Sequence, residues 1–170
     1  MNRIAIRVLN GEDRRDCRDL QTVFDESPGY SYAVSGKPPS PTSAEETFAA
    51  LPPHNHKADK YVFGFYLENT VIGCADLIRD YPKLGITWIG LLLFSEKHQG
   101  KSYGQAALSG IIDTAVKWES KFLRLAVIDT NSRALKFWER QQFFPIYTKV
   151  VDGFLGKAIV MERALTTRCS

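Results

Sequence analysis

The hydrophobic positions change period several times along the chain, and each change predicts an element. Over 3–9, Ile4, Ile6 and Val8 alternate with Arg3, Ala5 and Arg7, the pattern of a half-buried strand. After the turn Asn10-Gly11, Cys17, Leu20, Val23 and Phe24 recur at helical spacing, which predicts an amphipathic helix over 12–24. From 27 to 43 the composition shifts to Ser, Pro, Gly and Tyr, including Pro39-Ser40-Pro41. This reads as a loop, long for a compact domain and so a candidate lid or binding segment. A short helix is predicted over 44–51, with Thr42 or Ser43 as its N-cap and Pro52-Pro53 as its stop.

Two strands follow at 61–67 and 71–78, joined by Glu68-Asn69-Thr70 in the manner of a hairpin. The second is apolar on both faces, as a central strand must be. A turn at 81–85 leads into another apolar strand at 86–94. The longest amphipathic helix spans 102–119, with Ala107, Leu108, Ile111, Ile112, Ala115 and Trp118 as its inward stripe. A strand at 122–128, a helix at 132–141 and strands at 144–150 and 157–161 complete the chain. The order β-α-α-β-β-β-α-β-α-β-β predicts one α/β domain over 1–170, a mixed sheet with helices on both faces. No repeat, low-complexity tail or linker interrupts it.

Composition excludes more than it adds. The net charge of +3 is small and no Lys/Arg block stands out, so neither nucleic acid nor an acidic membrane surface is called for. Arg14, Arg15 and Arg18 are interleaved with Asp13, Asp16 and Asp19, which reads as a solvated helix face. Cys17, Cys74 and Cys169 form no CxxC pair, against a disulfide framework or a zinc knuckle. Cys74 sits in an apolar run as a small buried hydrophobe. His54-Asn55-His56 lacks a third ligand nearby and reads as a solvated turn, so no metal is expected. The first residues hold no signal peptide and no run approaches the roughly 18 apolar residues of a membrane span. A reducing, cytoplasmic setting is the default expectation.

Chemistry concentrates in Leu92-Leu93-Phe94-Ser95-Glu96-Lys97-His98-Gln99-Gly100-Lys101-Ser102-Tyr103-Gly104, where a buried strand passes through a short loop into the longest helix. A helix start leaves backbone N–H groups without partners and carries about half a positive charge. Glycine lets the backbone approach a bulky anion. A pyrophosphate fits that geometry, although a plain helix start explains a lone Gly-containing turn equally well. A P-loop would need glycine where Ser95 stands. A Rossmann fingerprint would fall after Leu9, where only Gly11 appears.

Gln99-Gly100-Lys101-Ser102-Tyr103-Gly104 resembles the Gln/Arg-x-x-Gly-x-Gly/Ala signature of the GCN5-related N-acetyltransferase (GNAT) superfamily. About thirty residues on, Asn131-Ser132-Arg133-Ala134-Leu135-Lys136-Phe137-Trp138, closed by Phe143, resembles its second motif. The resemblance covers essentially the whole chain and implies a single-domain GNAT-like fold: a mixed, mostly antiparallel sheet of about seven strands flanked by about four helices. It implies acetyl-CoA as co-substrate and an amine of a small molecule or protein as acceptor. Amides of Gly100, Lys101, Ser102, Tyr103 and Gly104 would hold the pyrophosphate. Main-chain groups near Leu92, Leu93 and Phe94 would pair with the pantetheine arm. Asn131, Ala134, Phe137 and Trp138 would lie along the cofactor. An N–H of the 86–94 strand would polarise the thioester carbonyl. A homodimer, frequent among relatives, is compatible with the resemblance, though no exposed stripe demands one.

The departures carry consequences. Ser102 replaces the usual middle glycine, and with Gln105 it reads as a capping box. Trp138 stands where the family often has the tyrosine that protonates the departing thiolate, and an indole N–H is no usable acid. Solvent or another hydroxyl such as Tyr147 would take that role. On the acceptor side, an alkylamine of pKa about 10.4 is deprotonated in only roughly one molecule in two thousand at pH 7, so a base is needed. The candidates are Asp76, which reads more readily as a paired structural carboxylate or strand-end hydrogen bonder, and Glu26, which reads more readily as a helix-end surface charge. Asp80 and His98 are weaker. Tyr30 and Tyr32 would line the acceptor pocket or be incidental to a surface loop. A domain that senses acyl-CoA without turnover, and an O-acyltransferase, stay open as alternatives.

Overall fold

A seven-stranded mixed sheet organises the computed structural model, which describes residues 3–166. Met1, Asn2 and residues 167–170, with the third cysteine Cys169, lie outside the described residues. The elements are β1 (Ala5–Val8), α1 (Arg14–Asp25), α2 (Pro28–Ser35), α3 (Ser43–Ala49), β2 (Lys60–Leu67), β3 (Thr70–Arg79), β4 (Ile86–Phe94), α4 (Tyr103–Lys117), β5 (Phe122–Ile128), α5 (Ser132–Arg140), β6 (Phe144–Lys149) and β7 (Ala158–Ala164). Strand order is β1-β2-β3-β4-β5-β7-β6, antiparallel throughout except where β4 pairs parallel with β5. That one parallel contact follows from α4, which carries the chain back between the two strands.

The core lies on both sides of the sheet. On one face, Phe65, Leu77, Ile89, Leu123 and Met161 pack beneath Ala107, Leu108, Ile111 and Ala115 of α4 and Trp138 of α5. On the other, Leu20, Val23 and Phe24 of α1 and Ala44 of α3 cover Val62, Cys74 and Leu93. Residues 71–78 of β3 are all buried, as a strand covered on both faces requires.

Three expectations are corrected. The segment read as a loop over 27–43 contains α2, so five α-helices rather than four flank the sheet among the described residues. Pro28 at its first position and Gly36 just past its end, at φ 70°, delimit it. On α1 the buried polar residue is Asp16, while Cys17 is half-buried. Asp16 pairs with Arg7 at 2.8 Å and accepts the Asn10 amide at 2.8 Å, so the acidic half of the expected solvated face is structural. Asp13 caps α1 by accepting the Arg15 and Asp16 amides, and Asp19 accepts the Tyr66 hydroxyl. Finally, β1 is exposed along its whole length rather than half-buried, because it is the sheet's edge. No described helix is long and apolar enough to cross a membrane.

Candidate active site

β4 and β5 stay paired only over Ile86–Ile89, opposite Phe122–Leu125. Beyond Ile89 the two strands part, although β4 runs on to Phe94 and β5 to Ile128. Next to the gap, the β3–β4 ladder carries a bulge. Asp76 faces Leu91 and Leu77 faces Ile89, so Gly90 is left without a partner on β3. The free edge of β4 therefore looks into a cleft of about 810 Å3 between the parted strands, within the size range of small-molecule sites.

The mouth of this cleft is the start of α4. The first helical bond there runs from the Ala106 amide to the Ser102 carbonyl at 3.2 Å. The six amides of residues 100–105 donate to no acceptor among the described residues. Two nearby features turn them inward: Gly100 sits at φ 71° and Ser102 at φ 65°, both left-handed. Successive N–H groups bent this way form an anion-binding nest, to which the helix adds its positive end. Ser102 makes no side-chain cap bond, so the capping-box reading is corrected. Its left-handed backbone is the physical reason a glycine suits this position.

Gln99 spends its side chain internally. Its Nε2 donates to the Phe94 carbonyl at 2.7 Å, and its Oε1 accepts from Arg133 Nη1 at 2.9 Å. The strand end, the cradle and α5 are thereby tied together. Asn131 caps α5, its Oδ1 accepting the Ala134 amide at 3.3 Å. A Cβ at Gly104 would lie 3.4 Å from the Phe137 ring, so α4 and α5 approach closely here. Trp138 is buried edge-on between Phe137 and Phe143.

The far wall is α2, laid across the ends of the parted strands. The Ser27 hydroxyl donates to the Phe94 carbonyl, the Gly29 amide to Glu96, and the Thr130 hydroxyl to the Ala33 carbonyl. Tyr30 packs against both the α1 side of the sheet and the Val34–Ile128–Ala158 cluster, bridging the gap. Burial, with Cys74 alongside, pushes its phenol up to about 12.

The structure thus brings Leu92, Leu93, Phe94, Gln99, Gly100, Ser102, Tyr103, Gly104, Asn131, Ala134, Phe137, Trp138 and Tyr30 around one cleft. It does not bring the others there. Lys101 adds its amide to the row at the mouth but its exposed side chain does not line the cleft, and neither does the exposed Tyr32 on α2. Tyr147 is exposed on β6, the far edge strand, and does not line the cleft. Glu26 ends α1 as a tie, pairing with Lys97 at 3.1 Å. Burial raises its carboxyl, but the Ser95 hydroxyl and Lys97 ammonium outweigh that and hold it below its ordinary value. Asp76 is buried under Gly90 and paired with Lys60 at 2.8 Å. Among the described residues no cluster of three His, Cys, Asp or Glu is placed to hold a metal. His56 instead caps the short turn Lys57–Asp59.

Two contributors are additional to those read from the sequence. Arg133, whose Nη2 lies 3.9 Å from a Cβ built on Gly100, overlooks the cradle. Gly90 sits at the bulge, and an isolated glycine inside a strand was the available signal for it. A second cavity of about 430 Å3, lined by Arg3, Leu67 and His98 among others, contains none of the glycine-loop backbone.

A parallel pair that splays beside a glycine-bent helix start fits the class of acyl-CoA-dependent transferases that the sequence resemblance implies. Sequence places the chain within that class: the acetyltransferase (GNAT) family profile matches residues 20–143, and the chain belongs to that family. Comparison with curated proteins finds no significant sequence match. Among solved structures, an acetyltransferase from Thermus thermophilus superposes with a TM-score of 0.77 at 22% identity, covering 96% of this chain and 97% of that one. A GNAT family acetyltransferase from Elizabethkingia anophelis with acetyl-CoA bound gives 0.66 at 15%, over 97% and 100%. The ribosomal-protein-S18-alanine N-acetyltransferase from Escherichia coli gives 0.67 at 16%, over 96% and 94%. At these identities the likeness is one of fold.

Proposed function

We propose that this acetyltransferase moves the acetyl group of acetyl-CoA to a primary amine of a small molecule or protein, by direct attack of the nitrogen on the thioester. The observation that carries the reading is the row of unpaired amides over residues 100–105, set beside the free edge of β4. Those amides suit a pyrophosphate, with Arg133 as a nearby cation. The β5-facing edge of β4 around Leu92 and Leu93, which lacks a strand partner there, suits the two amides of a pantetheine arm, as an added strand would. A main-chain N–H beside the Gly90 bulge would polarise the thioester carbonyl. Trp138 supplies no acid, so the sulfur leaves as thiolate and takes its proton from water, which a thiol pKa of about 8.5 permits. The free thiols Cys17 and Cys74 suit the reducing cytoplasm.

The test is two-staged. Acetyl-CoA is expected to raise the melting temperature, because a ligand that binds only the folded state stabilises it. Free thiol release is then followed with acetyl-CoA and a panel of primary amines, diamines and amino-terminal peptides. Stabilisation without release for any amine would leave a binding domain that senses acyl-CoA. Absence of stabilisation would refute both readings.

A further inference from the structure

The proposed transfer needs a group to collect a proton from the incoming ammonium. From the geometry around the β4 bulge we infer that Asp76 is this general base, reached from the cleft through the side-chain-free position of Gly90; the inference rests on the amine-acetyltransferase reading above.

Four observations converge. Gly90 lines the cleft at the level where β4 and β5 part. The bulge turns the Asp76 carboxylate beneath it: Oδ2 would lie 3.0 Å from a Cβ at Gly90, and Cγ 3.4 Å. The two carboxylate oxygens are unlike. Oδ1 accepts from Lys60 Nζ at 2.8 Å, whereas Oδ2 has no hydrogen-bond partner among the described residues. The side chain nevertheless retains 11% of its exposure, so the free oxygen is not sealed in the core. A purely structural ion pair has no need of a free oxygen turned toward the one cleft-lining residue that leaves it a side-chain-free approach.

Lys60 fits the same role as a positioning residue. It fixes the carboxylate rotamer and keeps the buried group ionisable. Burial raises the Asp76 carboxyl above its ordinary value, and Lys60 opposes that rise. The other titratable groups facing this spot are the Cys74 thiol, two residues back along β3, and the Tyr30 phenol packed over Cys74 from α2. Both stay protonated at neutral pH because burial raises them.

The step balances as follows. Asp76 Oδ2 takes one proton from R–NH3+, and the freed nitrogen lone pair attacks the thioester carbon, forming the C–N bond. As the C–S bond breaks, its electron pair leaves with sulfur. The nitrogen's surplus proton passes through water to the thiolate, and Asp76 returns its own proton to solvent. One amide, one thiol and one released proton result.

The experiment uses the full chain, acetyl-CoA and the panel amine that gives the fastest thiol release, with rates followed from about pH 5 to pH 9. Asp76→Asn is expected to lower turnover by roughly 10²–10⁴-fold while leaving the acetyl-CoA thermal shift intact, and Asp76→Glu to recover part of the loss. Lys60→Met removes the cation that holds the carboxyl down, so the acidic limb of the kcat/KM profile is expected to move to higher pH. A structural ion pair would alter stability without moving that limb. Turnover of Asp76→Asn within about threefold of wild type overturns the inference and leaves the enzyme reading standing. Should Asp76→Asn not fold, the Lys60→Met profile decides, an unmoved limb being the refuting result. A wild-type chain that binds acetyl-CoA and acetylates no amine removes the enzyme reading and the base together.

Discussion

Replacing Gly104 by glutamate tests the cradle most directly. Gly104 lies in the first turn of α4, and a Cβ there would meet the Phe137 ring at 3.4 Å. The α5 side is therefore closed to a longer side chain, which must extend over the unpaired amides instead. A carboxylate about 6 Å from the nearer phosphate charge, at an effective dielectric constant of about 20, costs on the order of 3 kcal/mol. That is roughly a hundredfold in affinity. The assay is thermal melting with acetyl-CoA at about one hundred times the wild-type Kd, where binding stabilises by about 2.7 kcal/mol. For a chain of this length each kcal/mol moves the midpoint by roughly 2–4 °C, so the wild-type shift is about 5–10 °C. A hundredfold weaker complex retains about 0.4 kcal/mol, a shift of about 1 °C. The ligand-free melt should hold, since glutamate gains up to about 1 kcal/mol over glycine in helix propensity. Gly104→Gln, equal in size and neutral, separates crowding from charge. A glutamate variant with the full wild-type shift would place the anion elsewhere and refute the cradle.

Other outcomes follow from single residues. Ser102→Gly relieves a left-handed backbone and is expected to stabilise by on the order of 0.5 kcal/mol, while Ser102→Ala is neutral; a loss of about 1 kcal/mol in the alanine variant would restore the capping role. Asn131→Ala removes the α5 cap and should cost about 1 kcal/mol in urea denaturation, with Asn131→Asp retaining most of it; equal losses in the two would refute a capping role. Asp13 is held below its ordinary value of 3.8 by the Asp16 and Arg15 amides. A lowered carboxyl stabilises the fold above that value and loses the effect as pH falls through its depressed one. The stability gap between wild type and Asp13→Asn should therefore narrow below pH 3.8, and a gap that stays constant would refute the cap's charge dependence.

Most elements were legible because burial imposes a period. The run of β3, apolar and buried over 71–78 but for the charge of Asp76, and the stripe on α4 leave no alternative placement, and the two motifs sit at the two βα junctions flanking the splay. What escaped was set by backbone conformation and by tertiary pairing. α2 is built from Pro, Gly, Tyr and Ser, with only Val34 fully buried, so no stripe announces it. Its helix signal lies in the order of Pro28 and Gly36, not in hydrophobicity. Ser102 reads as a cap in one dimension, but the turn before α4 demands a left-handed residue there, and that demand wins. Asp16 looks like one more surface charge until β1 brings Arg7 across to it. Tyr147 became a candidate acid by residue type alone, whereas the insertion of β7 between β5 and β6 moves it to the rim.

The two motifs are best understood as one object. A glutamine at the head of an anion loop invites the reading that its amide touches the ligand. Here both ends of that amide are already engaged, with the Phe94 carbonyl and with Arg133. Gln99 therefore fixes the relation between the end of β4, which faces the cleft, and the first turn of α5, which walls it. Asn131, at the head of that same helix, spends its oxygen on the Ala134 amide and so holds the start of α5. The side chains that define the signature mostly hold backbone in place, and what they leave open is backbone: unpaired amides at residues 100–105 and the β5-facing strand edge beyond Gly90. Recognition built from main chain tolerates wide change in side chains. A cradle built that way is compatible with a fold likeness that spans nearly the whole chain at 22% identity.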